Sequence, residues 1–174
     1  MNKSRIKAVL LLPVNAVIVI PALILLFSQQ QVGLAFNLLS FVGLAVWCGG
    51  LGLVWRTVAL FGRQKKGFIA PWNPPAELII AGPYRYVRNP MISGVGFMLL
   101  GEVMLFINDG LAVWFLLFAT VNAVYIPLVE EPQLLKRFGT AYALYRAEVP
   151  RWIPRLHPCL LYTSPSPRDP KTSR

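Results

Sequence analysis

Two uncharged apolar runs decide what this chain can fold into: residues 8–27, 20 residues long, and residues 33–55, 23 residues long. As helices rising about 1.5 Å per residue, each is long enough to cross a hydrocarbon core of roughly 30 Å. Residues 91–107 and 111–129 form two further apolar segments. With 56% hydrophobic and only 14% charged residues, the composition is too apolar for a soluble domain of 174 residues. The expected fold class is all-α, a polytopic membrane helix bundle with about four transmembrane helices.

The 17 Lys and Arg against 7 Asp and Glu leave a net charge of +10. On a soluble surface that excess would point to nucleic acid, but here the basic residues flank the apolar runs. Lys3, Arg5 and Lys7 precede the first run, Arg56, Arg63, Lys65 and Lys66 follow the second, and Arg85 and Arg88 precede the third. Lys136, Arg137, Arg146, Arg151 and Arg155 follow the fourth, while the turns at residues 29–31 and 108–110 carry no Lys or Arg. The positive-inside rule then puts both termini, and the connection between the second and third spans, in the cytoplasm. The expected location is a prokaryotic inner membrane, crossed several times. The membrane is therefore a partner and nucleic acid is not. Two cysteines, Cys48 and Cys159, and a single histidine, His157, make neither a disulfide framework nor a metal site.

Along the chain, the first run has a basic head but no small-x-small cleavage site after it, and reads as a retained anchor. Pro13 and Pro21 should bend it and leave carbonyls for neighbouring helices to satisfy. Gly43, Ala45, Gly49, Gly50 and Gly52 in the second run allow close helix approach. Residues 67–90 hold five prolines among apolar and aromatic residues such as Trp72, Tyr84 and Tyr86, which describes a loop packed on something. Glu102, about 16 Å into the third span at 1.5 Å per residue, should face the bundle interior as a polar contact, with Asn122 as its partner. Pro127 and Pro132 bracket Glu130 and Glu131, so a kink or break is expected there, with a fresh helix near Pro132. Leu135, Phe138, Tyr142, Tyr145 and Val149 then recur at helical spacing and predict a C-terminal amphipathic helix. From Pro158 the composition becomes that of a disordered tail, foreign to the fold.

The polar segment Gly82, Tyr84, Arg88, Asn89, Pro90, followed by Gly94 and Gly96, forms one half of a recognisable pattern. Glu130, Glu131, Phe138, Gly139, Tyr142 and Tyr145 form the other. Together they resemble the integral-membrane methyltransferases that include isoprenylcysteine carboxyl methyltransferases and phospholipid N-methyltransferases. The resemblance covers roughly residues 72–154 and implies S-adenosylmethionine as cofactor, bound at Gly82, Tyr84, Arg88, Asn89, Pro90, Gly94, Gly96, Glu130, Glu131, Tyr142 and Tyr145. Arg88 and Glu131 are the expected catalytic residues. Asn89 stands where the prenylcysteine enzymes have histidine, and Ile92 where tyrosine is common, so the acceptor stays open.

The chemistry of the segments agrees with that implication. Arginine grips a carboxylate in bidentate fashion, glutamate holds an ammonium, and aromatic faces suit cationic centres or an adenine. The expected organisation is an N-terminal helix pair in residues 1–61, a methyltransferase core in residues 62–157 with a cytosolic cofactor loop, and the tail in residues 158–174. The acceptor would be a lipid, or a lipidated small molecule or protein: a prenylcysteine carboxylate, an amino-phospholipid or a thiol. No metal is called for. Two other classes fit the same outline, an NADPH-dependent membrane reductase of the sterol-reductase type and a non-enzymatic structural membrane protein.

Overall fold

The computed structural model describes residues 13–28, 37–63 and 78–159. Every regular element among these residues is helical: α1 (Asn15–Phe27), α2 (Leu38–Arg63), α3 (Pro90–Phe106), α4 (Asp109–Tyr125) and α5 (Glu131–Glu148). Two helical stretches are long and apolar enough to cross a membrane, Leu38–Leu60 and the continuous Asp109–Glu148. The other two apolar helices are shorter among the described residues: α3, with 17 residues, measures about 26 Å at 1.5 Å per residue, just under a full hydrocarbon core.

The bundle is organised on the α2–α3 pair, and glycine explains why. A Cβ on Gly50 would lie 2.5 Å from the Gly94 carbonyl oxygen, and one on Gly101 would lie 2.7 Å from that of Gly43. Steps of seven residues on both helices bring glycine opposite glycine, so the two backbones run antiparallel in direct contact. Above this seam Val17, Val54, Val95, Met98 and Leu99 form the core, with Trp47, Phe115 and Phe118 packed around it.

The prolines act through their missing N–H groups. Residues Asn15–Val19 form a widened turn in which the Ile20 N–H reaches back to the Asn15 carbonyl. In that register the Ala16 carbonyl faces Pro21, which has nothing to donate. The Trp114 indole N–H of α4 fills the gap at 2.9 Å, the kind of carbonyl satisfaction that Pro21 leads one to expect. At the opposite end of the bundle from Arg88, Asn108 caps α4 by accepting from the Leu111 N–H at 3.2 Å and donates to the Ser28 hydroxyl at 2.9 Å, tying the end of α1 to the α3–α4 turn.

Two expectations need correcting. Glu102 is buried, but its partner is the Trp47 indole N–H of α2 at 3.3 Å; Asn122 donates instead to its own helix, to the Phe118 carbonyl. The expected irregularity between Pro127 and Pro132 is a widened turn and not a break, and α5 opens at Glu131, beside Pro132. Residues Ile126–Glu130 form a second widened turn that joins α4 to α5 without leaving helical conformation, and the non-helical residue is Gly139, whose φ of 55° and ψ of −131° only glycine adopts readily. Beyond it Tyr142, Tyr145 and Val149 are buried with Cys159, whereas Leu135, before the kink, is exposed. The folded body thus extends through Cys159, past the Pro158 boundary expected for the tail; residues 160–174 lie outside the described residues.

Candidate functional site

The site is built on a turn. Gly82, at φ +53°, opens a short 3-10 turn, Gly82–Arg85, and the Pro83 carbonyl accepts from the N–H groups of both Tyr86 and Val87. Val87 is fully buried and locks the turn to the body. Arg88 comes next. Pro90 is buried as the first residue of α3, and the Asn89 carbonyl accepts from the Ser93 N–H at 2.9 Å while its side chain makes no capping bond.

The chain after α5 returns along this turn. The Arg88 N–H donates to the Pro150 carbonyl, the Arg155 N–H to that of Tyr86, and the Cys159 N–H to that of Arg85, at 2.8 to 3.0 Å. Arg85 Nε donates in turn to the Cys159 carbonyl, and the Tyr145 hydroxyl to that of Tyr84. Residues 150–159 are therefore a strap, fastened mainly through backbone atoms to the segment that carries Arg88.

Glu131, the first residue of α5, faces the turn and the strap, its side chain 3% exposed. One carboxylate oxygen accepts from Arg88 Nη1 at 2.9 Å and from Arg151 Nε at 2.6 Å; the other accepts from Arg151 Nη2 at 3.0 Å, with Arg146 Nε 3.7 Å away. The three guanidiniums fan from interior to surface, Arg88 at 9% exposure, Arg151 at 28% and Arg146 at 52%. Arg88 Nε is buried with no hydrogen-bond partner. Glu130, half-buried, makes no ion pair among the described residues. Burial, and then the charge of Glu130, hold the Tyr84 hydroxyl far above the ordinary phenol range, so it stays protonated.

An apolar cavity of about 270 Å³ opens between α3 and α4, lined among others by Ile92, Gly96, Phe118 and Ala119. Trp152 and Ile153, directly after Arg151, belong to its lining, so the cavity and the charged cluster share one strap.

The structure brings Arg88, Glu131, Tyr84, Tyr142 and Tyr145 together, the last two with ring centroids 6.2 Å apart. It separates the two glycines. A Cβ on Gly94 would meet Val54 at 2.7 Å and the Gly50 carbonyl at 2.9 Å, so Gly94 serves helix packing, whereas Gly96 lines the cavity. Gly82 turns towards Leu60 of α2. Arg151 and Trp152 escaped the sequence reading. The available signal was that Arg151 is a basic residue closely following the buried Tyr145 and Val149.

Residues 38–141 match the family model described as phospholipid methyltransferase. No curated protein and no solved structure gives a match. Because the matched segment covers more than half of the chain and runs from α2 through the Arg88 turn to Glu131 and most of α5, this protein belongs to the phospholipid methyltransferase family.

Proposed function

We propose that the protein transfers a methyl group from S-adenosylmethionine to a lipid acceptor at the cytoplasmic membrane face, with the Arg88–Glu131 cluster as the cofactor's polar anchor and the α3–α4 cavity as the seat of the acceptor's hydrocarbon chain. Family membership makes the protein a membrane methyltransferase acting on lipid-type substrates. The observation that carries the finer reading is one juxtaposition: an arginine donor buried without an acceptor, in a cluster whose Arg151 is followed directly by Trp152 and Ile153 in the lining of an apolar cavity. Arg88 Nε suits the carboxylate of an amino-acid moiety, and Glu130, free of ion pairs among the described residues, suits its ammonium.

When bound, S-adenosylmethionine supplies a methyl group activated by a sulfonium, so transfer is a direct displacement. The protein's part is to align the groups and exclude water. Glu131, shared among three guanidiniums, fixes their geometry, and the protonated Tyr84 does not serve as a base. An acceptor that arrives with its lone pair free is the one this cluster suits. An amine would shed its proton to water on the exposed, Arg146 side.

Calorimetric titration of S-adenosylmethionine into the detergent-solubilised protein, followed by labelling of fractionated membrane lipids, tests this. Binding and label in a lipid fraction are expected. Ala119→Trp, which fills the cavity, should cut lipid labelling by about tenfold and leave cofactor affinity within about twofold. Failure of the folded protein to bind the cofactor would end the proposal. The topology is checked separately: a reporter fused after Lys66 should report a cytoplasmic location, and an external one would cut Arg88 off from the cytosolic cofactor.

A further inference from the structure

Arg151 makes the strongest contact in the cluster. Its fork meets both oxygens of Glu131, at 2.6 and 3.0 Å, whereas Arg88 reaches one oxygen through Nη1 alone. Each guanidinium carries five N–H donors. Arg88 and Arg151 spend three of their donors on Glu131, and the buried Arg88 Nε meets no acceptor. Arg88 and Arg151 balance Glu131 and the half-buried Glu130, and Arg146 adds one more positive charge at the exposed edge of the cluster. A buried guanidinium nitrogen with no acceptor is a place for an anion's oxygen.

The spacing of the two arginines is set by backbone. Arg88 donates its N–H to the Pro150 carbonyl, so Arg151 is carried by the residue next to that bond, and Glu131 grips both side chains from α5. We propose that Arg151 and Arg88 together form a two-arginine clamp for the α-carboxylate of the cofactor's methionine moiety, with Glu131 as the positioning residue that aligns them. This rests on the S-adenosylmethionine reading above and adds to it the strap as a binding element. Arg146, at 52% exposure, stays outside the clamp.

Two ligands isolate the carboxylate. S-adenosylhomocysteine carries the whole amino-acid moiety, and methylthioadenosine carries the thioether and nucleoside without it. In Arg151→Gln, affinity for S-adenosylhomocysteine should fall about tenfold or more, while affinity for methylthioadenosine stays within about twofold. Arg151→Lys should recover part of the loss, since an ammonium retains the charge but not the fork. Arg155→Gln, a strap residue whose guanidinium reaches the Glu148 carbonyl and not Glu131, should leave both affinities unchanged. A parallel loss for both ligands would make Arg151 merely structural and overturn the clamp. So would an unchanged affinity for S-adenosylhomocysteine, including one accompanied by a raised KM for the lipid, which would assign Arg151 to the acceptor's phosphate. Should Arg151→Gln fail to fold, Arg151→Lys is read alone: a loss of about threefold or more confined to S-adenosylhomocysteine supports the clamp, and no selective loss overturns it. A wild-type protein that binds neither ligand would instead refute the cofactor reading itself.

Discussion

Glu131→Gln is expected to lower unfolding stability by about 3 to 5 kcal/mol and to weaken S-adenosylmethionine binding by at least about tenfold. The first effect follows from burial. Glutamine keeps the shape of the side chain but removes the one negative charge that Arg88, at 9% exposure, and Arg151 share. A guanidinium left in a water-poor site without its counter-charge costs several kcal/mol, far more than an exposed pair contributes. The second effect follows because Arg88 and Arg151, no longer gripped at a common carboxylate, lose their alignment. Thermal unfolding in detergent and calorimetric titration read the two separately. Glu148→Gln is the control: that carboxylate is 59% exposed and lies 3.8 Å from Arg155, a pair worth about 0 to 1 kcal/mol. A Glu131→Gln protein as stable as the wild type would mean that the cluster does not hold strap, turn and α5 together.

The second large effect belongs to the glycine seam. Gly94→Ala puts a Cβ 2.7 Å from a Val54 methyl, 2.9 Å from the Gly50 carbonyl oxygen and 3.2 Å from the Val54 nitrogen. Two of those three neighbours are backbone and cannot swing away, so α2 and α3 must separate. The expected loss is about 1 to 3 kcal/mol, as for other overpacked cores. Gly49→Ala, on the same face-rich helix but with nothing within 4 Å, should be neutral or raise stability by up to about 1 kcal/mol through helix propensity. Gly96→Ala meets Phe118 at 3.9 Å, an ordinary contact, and should leave the fold intact. Melting temperatures of the three variants decide the matter. If Gly94→Ala instead weakened cofactor binding at unchanged stability, Gly94 would be a ligand contact after all.

These positions show where sequence reasoning reached the structure and where it stopped. The helices were legible because their punctuation is local: long apolar runs end at the turn of residues 108–110 and at the prolines, and Pro90 stands at the start of α3. That Arg88 and Glu131 belong to one site was legible because the two segments form the halves of one recognisable pattern. That the two pair with each other was not, since both were read as waiting for a ligand. Arg151 was missed because counting Lys and Arg by side of the membrane weighs each residue alike, whereas only three-dimensional return of the strap singles one out. Gly94 and Gly96 look equivalent in a Gly-x-Gly motif. Two residues apart, they face directions about 200° apart on a helix of 3.6 residues per turn, and only the rotation of α3 tells which of them touches α2. The widened turns at Asn15–Val19 and Ile126–Glu130 each sit two residues before a proline, but no local pattern distinguishes such a turn from a break.

Arg88 precedes Glu131 by 43 residues, and Glu131 precedes Arg151 by 20. At a synthesis rate of roughly 5 to 20 residues per second, the turn waits about 2 to 9 seconds for its carboxylate and longer for its strap. During that interval Arg88 is an unneutralised charge on the growing chain, of the kind that biases which side of the bilayer a loop stays on. The residue that ends as the innermost guanidinium of the cluster is thus one of the charges that the positive-inside rule counts while the chain is still being made. The carboxylate that pairs with it arrives only after α3 and α4 have been made.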